Sequence, residues 1–364
     1  MRALIPPVAL TLGLLIVLPP PQFGQGPIRR RIQAKAKARV EAASASNPPV
    51  PQPAAACGST LNLGFHIQVF SNGLRAAVWY PTKAAEALYE HPTGHFSTAL
   101  AQDAPVADCQ TYPLVIYSHG FGGCGTVSLF YTEALARAGY IVAAPDHKDS
   151  KCKVDQPFTG RFLQKAEEPF QRPEQWGPSV YQQRRQDIRR VLDELPRARM
   201  FQGRIDPGRI GGSGHSLGGY TIAAMIGAWS SWRDDRIKAA VLMSPYVSPF
   251  LVKGTLKDIH VPVMYQGGTR DLGITPYLRR DGGAYDQTNA PKFFVDLELA
   301  NHLDWSNLVC GPYGAVPACI AQAPYAREID RYAIAFFDRY LKGIREPLLD
   351  EPASGLADYR HADP

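Results

Sequence analysis

Two hydrophobic rhythms alternate along this chain. Short strand-like runs recur at Tyr112–Ser118, Arg209–Gly212, Ile237–Pro245, Val261–Gly268 and Phe293–Leu299. Ile237–Pro245 is apolar almost throughout, as a strand buried on both faces of a parallel sheet should be. Longer periods fall between and after these runs. Tyr181, Ile188, Val191, Leu192 and Leu195 share one face of a helix that opens at Ser179-Val180-Tyr181. Thr221–Ile226 is a short apolar helix, and Asp206-Pro207-Gly208 reads as a turn. Ile329, Tyr332, Ala333, Phe336, Phe337 and Tyr340 line a closing amphipathic helix over Tyr325–Leu341, with Gly343 as its stop. This alternation predicts an α/β domain over residues 57–343, with a mostly parallel central sheet flanked by helices. A polar C-terminal tail is expected over 344–364. No repeat or second pattern calls for another domain in 364 residues. Lys151–Pro178 is polar, with several prolines, and too short for a full cap domain; it is expected as a loop near the site.

Chemistry concentrates where one strand meets one helix. Gly214-His215-Ser216-Leu217-Gly218 reads G-x-S-x-G. A serine hydroxyl becomes a nucleophile only when it is held clear of the backbone beside a base and N–H donors. A sharp strand-to-helix turn does this at the cost of a strained serine backbone, and glycine two residues either side avoids the collisions. The following helix aims its N-terminal N–H groups at developing negative charge. Two further strands end in polar residues of the right kind. Val261–Gly268 runs into Thr269-Arg270-Asp271, and Phe293–Leu299 into Ala300-Asn301-His302. Asp281 and Asp286 lie in a more polar stretch and are weaker acids for the role. His260 sits at the wrong end of its strand and His361 in the polar tail. Upstream, Tyr112–Ser118 runs into His119-Gly120-Phe121-Gly122-Gly123, a loop small enough for a backbone N–H to approach a carbonyl oxygen. His119, His147 and His215 read as structural.

These segments resemble the α/β-hydrolase superfamily in identity and order, over roughly residues 60–343. Within it the chain is most similar to the platelet-activating-factor acetylhydrolases and the predicted dienelactone hydrolases. The resemblance rests on Ala77-Val78-Trp79-Tyr80-Pro81, Ser118–Gly122, Ala138–Asp149 and the elbow Gly214–Gly219. Cutinase-type polyester hydrolases are more distant, with a similar elbow. True dienelactone hydrolases carry cysteine as nucleophile, where this chain has Ser216. The resemblance implies a triad of Ser216, Asp271 and His302, with the N–H groups of Phe121 and Leu217 as oxyanion donors. The expected activity is hydrolysis of carboxylic esters through an acyl-enzyme. Polyester hydrolysis, acyl transfer and a non-catalytic binding role on the same fold are the alternatives. No cofactor and no metal is expected. Tyr246 and Trp305, each just past a catalytic strand end, are candidate pocket walls, and an open cleft should take a small-molecule or polymeric ester.

Charge and cysteines bear on the compartment. Residues 1–18 carry Arg2 before the apolar run Leu4–Leu18, which has the polarity of a secretory signal and is short for a span. Export, to periplasm or medium, is the reading. An uncleaved segment would instead anchor the protein and give membrane association. Residues 19–56 read as a disordered basic and Pro/Ala-rich linker; Arg29, Arg30, Arg31, Lys35, Lys37 and Arg39 account for the formal net charge of +6. With the bases in a tail and no interleaved aromatics, no nucleic-acid partner is expected. Six cysteines without a Cys-x-x-Cys pair suit disulfides better than zinc. The pairing expected is Cys310–Cys319, Cys124–Cys152 and, by remainder, Cys57–Cys109.

Overall fold

The computed structural model describes residues 61–92, 96–156, 165–323 and 325–363. The leader, the linker and Cys57 lie outside the described residues. Among the described residues eleven strands form one sheet. They are β1 (Asn62–Val69), β2 (Arg75–Thr82), β3 (Ala87–His91), β4 (Phe96–Gln102), β5 (Tyr112–Ser118), β6 (Ile141–Pro145), β7 (Ile205–His215), β8 (Ile237–Met243), β9 (Val263–Gly268), β10 (Lys292–Leu297) and β11 (Leu356–Ala362). Their order across the sheet is β11-β10-β9-β8-β7-β5-β6-β2-β1-β4-β3. The strands from β6 to β10 pair in parallel, while β2, β3 and β11 pair antiparallel with their neighbours.

Among the described residues eight α-helices connect these strands: α1 (Leu129–Arg137), α2 (Gln182–Glu194), α3 (Leu217–Ala223), α4 (Ser248–Lys253), α5 (Thr275–Arg279), α6 (Ala284–Gln287), α7 (Val316–Gln322) and α8 (Ala326–Phe337). Side chains alternate across a strand, so each core strand feeds two apolar layers. Leu114 and Ile116 of β5 pack with Ile188 and Val191 of α2 and Ile222 of α3. Val115 and Tyr117 point the other way, into a layer with Leu129 and Phe130 of α1 and Phe336 and Phe337 of α8. Helix α8 runs on through Leu341 and stops at Gly343, whose φ of +69° puts it in the left-handed region.

Two features correct the expected outline. The polar tail expected over 344–364 carries β11, which joins the sheet against β10. Its alternation of half-solvated side chains suits an edge strand, and the ring of His361 stacks on Phe293 at 6.0 Å. The expected turn at Asp206-Pro207-Gly208 is a bulge within β7, where the register jumps between the Tyr112–Ile205 and Leu114–Ile210 pairs. The expected disulfides Cys124–Cys152 and Cys310–Cys319 are formed. Cys109 is also disulfide-bonded. Such bonds belong with an oxidising compartment. Among the described residues no helix is long and apolar enough to cross a membrane.

Candidate active site

At the turn from β7 into α3, Ser216 takes φ +55° and ψ −117°, a conformation that L-residues rarely adopt. The flanking glycines explain how the turn can be so tight. A Cβ on Gly214 would meet the Gly218 carbonyl, and one on Gly218 would meet the carbonyl of Ser118. The strained backbone is tied down on both sides. Ser216 N donates to Met243 O at 3.0 Å, and Ser216 O accepts from Tyr246 N at 3.0 Å.

His302 Nε2 lies 2.9 Å from Ser216 Oγ, and its Nδ1 lies 3.0 Å from Asp271 Oδ2. The structure thus brings Ser216, Asp271 and His302 into one hydrogen-bonded line, although 86 and 31 residues of chain separate the two bonded pairs. Asp271 and His302 sit on adjacent loops after β9 and β10, and these loops are stitched together. Arg270 N donates to Ala300 O at 2.9 Å, and Leu299 N to Thr269 Oγ1 at 2.8 Å. Asp271 is 3% exposed and His302 33%, so the acid is shielded while the imidazole borders the cleft. His215 supports His302 from beneath. Its Nε2 donates to His302 O at 2.8 Å, and burial pushes its imidazole down to about 3, so the ring is neutral.

The Ser118–Gly123 loop closes the other side of Ser216. Leu217 is the first residue of α3, where a helical N–H has no intrahelical acceptor. Among the described residues, neither Leu217 N nor Phe121 N donates to a protein acceptor. The loop is held from behind by Arg184 of α2, which is 1% exposed. Its guanidinium donates to His119 O at 2.7 Å and Gly120 O at 3.2 Å, and bidentately to Asp149 at 2.9 and 2.6 Å. Burial alone would raise the Asp149 carboxyl, but Arg184 outweighs it and holds Asp149 below the usual carboxylate range. His119 and His147 are fully buried, and burial together with the Arg184 charge pushes both well down. His119 therefore accepts the His147 N–H at Nε2, 3.1 Å away, and donates from Nδ1 to Gly120 O at 2.7 Å. His147 bonds Ser118 Oγ at 2.9 Å and Asp187 at 2.9 Å. The structural reading of these histidines holds.

An open cleft of about 1120 Å³ leads to Ser216 and His302, with Phe121, Phe170, Tyr246 and Ile274 among its walls. Tyr246 therefore lies where expected, its hydroxyl donating to Phe170 O at 2.7 Å. Trp305 does not. It is fully buried behind the site, its indole N–H donating to Gln266 Oε1 at 3.0 Å and its ring stacked on His215. The sequence placed it at the catalytic edge, but the chain turns its side chain inward. Two groups escaped the sequence reading. Arg184 carried a signal, since it sits three residues after Tyr181 and four before Ile188, on the apolar stripe of its helix. Ser244, at the end of β8, touches both Asp271 and His302, and nothing in its local pattern marked it.

A mostly parallel sheet between two helical layers, with a serine elbow after β7 and partners after β9 and β10, defines the α/β-hydrolase fold. Within that class the chain resembles the platelet-activating-factor acetylhydrolases. Residues 65–185 match the family described as platelet-activating factor acetylhydrolase, isoform II. That stretch includes the Ser118–Gly123 loop and Arg184 and stops short of Ser216, Asp271 and His302. The platelet-activating factor acetylhydrolase of Cavia porcellus is 23% identical over 172 residues, covering 40% of this chain and 38% of that protein. The protein of the same description from Bos taurus is 25% identical over 182 residues, covering 43% of this chain and 40% of the relative. The chain thus matches only about two fifths of the length of these relatives. A solved ferulic acid esterase from Streptomyces cinnamoneus superposes with a TM-score of 0.57 at 24% identity, covering 86% of this chain and 99% of that one.

Proposed function

We propose that this protein is an exported serine hydrolase that cleaves carboxylic esters. The observation that carries the reading is the unbroken line from Asp271 through His302 to Ser216, with bonds of 3.0 and 2.9 Å. His302 takes the Ser216 proton at Nε2 as Oγ attacks the ester carbonyl. Asp271 keeps the Nδ1 proton in place and balances the imidazolium. The N–H groups of Phe121 and Leu217 receive the oxyanion, His302 protonates the departing alcohol, and water then cleaves the acyl-enzyme by the same route in reverse. An alkoxide leaves more readily than an amine, which favours esters over amides.

The rim of the cleft favours an extended apolar substrate such as a polyester as a second reading. Val252, Leu272, Leu303 and Leu308 all line the cleft and are 57, 74, 49 and 67% exposed. Exposed apolar side chains gathered at one opening mark a contact surface. The disulfides support export through the leader.

A fluorophosphonate probe separates enzyme from binding module. The wild-type protein should be labelled, and Ser216→Ala should lose both labelling and p-nitrophenyl acetate hydrolysis while keeping its fold. Labelling that persists in Ser216→Ala, or none in folded wild type, removes the serine-hydrolase reading.

A further inference from the structure

We propose that Ser244 is a positioning residue of the triad, its hydroxyl locking the Asp271 carboxylate and the His302 imidazole against each other. Its catalytic consequence rests on the serine-hydrolase reading above, whereas its geometry does not. Ser244 is fully buried and has φ +41°, in the left-handed region. Its N–H is anchored to Gln266 O of β9 at 2.8 Å, so the side chain is aimed by a fixed backbone. Ser244 Oγ then meets Asp271 Oδ2 and His302 Nδ1, the latter at 2.7 Å.

Counting protons gives a single consistent arrangement. A hydroxyl has one hydrogen to donate and lone pairs to accept with. Ionised Asp271 can only accept, so the Ser244 hydrogen goes to Oδ2. Ser244 Oγ can then only accept from Nδ1–H, which it shares with the carboxylate 3.0 Å away. The closed triangle holds the imidazole proton on Nδ1 and leaves Nε2 as the acceptor for Ser216. His215, a titratable neighbour with its ring 4.9 Å away, is neutral and bonds the His302 carbonyl rather than the ring nitrogens. Glycine would relieve the backbone strain at 244, so the strain points to a need for the hydroxyl.

The test compares Ser244→Ala and Ser244→Gly with wild type in the intact protein. Alanine deletes the hydroxyl and keeps the strain; glycine deletes both. Each variant should shift the downfield proton resonance of the Asp271–His302 pair. Each should also lower kcat for p-nitrophenyl acetate about tenfold, on the order of one charge-assisted hydrogen bond, with KM little changed and the limb of the kcat–pH profile displaced. Ser244→Gly should melt no lower than Ser244→Ala, which separates lost rate from lost folding and provides a folded variant should alanine fail. An unmoved resonance with an unmoved pH limb overturns the proposal, whatever the rate. A wild-type protein with neither turnover nor labelling sinks the esterase reading instead. The resonance then decides Ser244 alone, a shift supporting the contact and no shift overturning it.

Discussion

The two loops that flank Ser216 are built on opposite plans. On the base side, His302 is one-third exposed and is held by hydrogen bonds to Asp271, Ser244 and the neutral His215. On the side of the proposed oxyanion donors, a buried guanidinium grips two consecutive carbonyls and is itself clamped by Asp149. The difference fits what the proposed chemistry asks of each side. A base must gain and lose a proton and alternate between two oxygens, so it borders the cleft. Oxyanion donors act by being still, because dipoles already in place need no reorganisation when charge develops. Charge-assisted bonds in a dry setting supply that stillness, and a broken partner there leaves a buried charge behind.

Breaking the base side should remove chemistry and spare the fold. His302→Ala should lower kcat by on the order of a millionfold, and Asp271→Asn by about ten-thousandfold through the wrong tautomer. Both should melt close to wild type. Near-normal rates in either, with loss in Asp281→Asn or His260→Ala, would show the acid or base to be misassigned.

The oxyanion side should fail the other way. Arg184→Met strips Asp149 of its partner, and urea unfolding should show a loss of about 3–5 kcal/mol along with reduced turnover. Adding Asp149→Leu should recover much of the stability, since the uncompensated charge goes with it. A single variant as stable as wild type would mean that the loop is held by packing alone.

Asp330 of α8 sharpens the contrast, as a buried carboxyl group with no such partner among the described residues. Among the described residues neither of its carboxyl oxygens has a hydrogen-bond partner, and burial pushes the group well above its ordinary range. The folded protein therefore keeps a proton that the unfolded chain releases near pH 4. Its penalty is absent below that pH and grows as pH rises toward the folded value. Asp330→Leu should stabilise by about 1–2 kcal/mol at pH 8 and by much less at pH 4. Unfolding curves at the two pH values check this; an equal gain at both would assign the effect to packing.

Much of the site was legible because its residues lie where apolar runs stop. Ser216, Asp271, His302 and Gly120 each follow a strand, and a strand buried on both faces is easy to see from its composition. What escaped depends on where a side chain turns after the strand ends. Trp305 and Tyr246 occupy similar places along the chain, yet one ring goes beneath His215 and the other into the cleft. Ser244 looks like any strand-end serine until the β9 and β10 loops fold over it. Arg184 was readable as a charge on an apolar stripe, but its partners come from the loops after β5 and β6. Strand β11 was hidden by its own polarity, since an edge strand is solvated along much of its length.

That edge strand has a consequence for the life of the chain before it is folded. Phe293, Phe294, Val295 and Leu297 make β10 an apolar strand, and among the described residues only 356–362 pair with its outer side. While the ribosome is still adding residues 298–355, β10 has a free row of N–H and C=O groups. Such a row is a template for pairing with a second chain. A truncation before Leu356 would make this temporary hazard permanent and should appear first as aggregation. The strand that seals β10 is itself poorly suited to recruiting another, because Asp358 and Arg360 place an ion pair along the new edge.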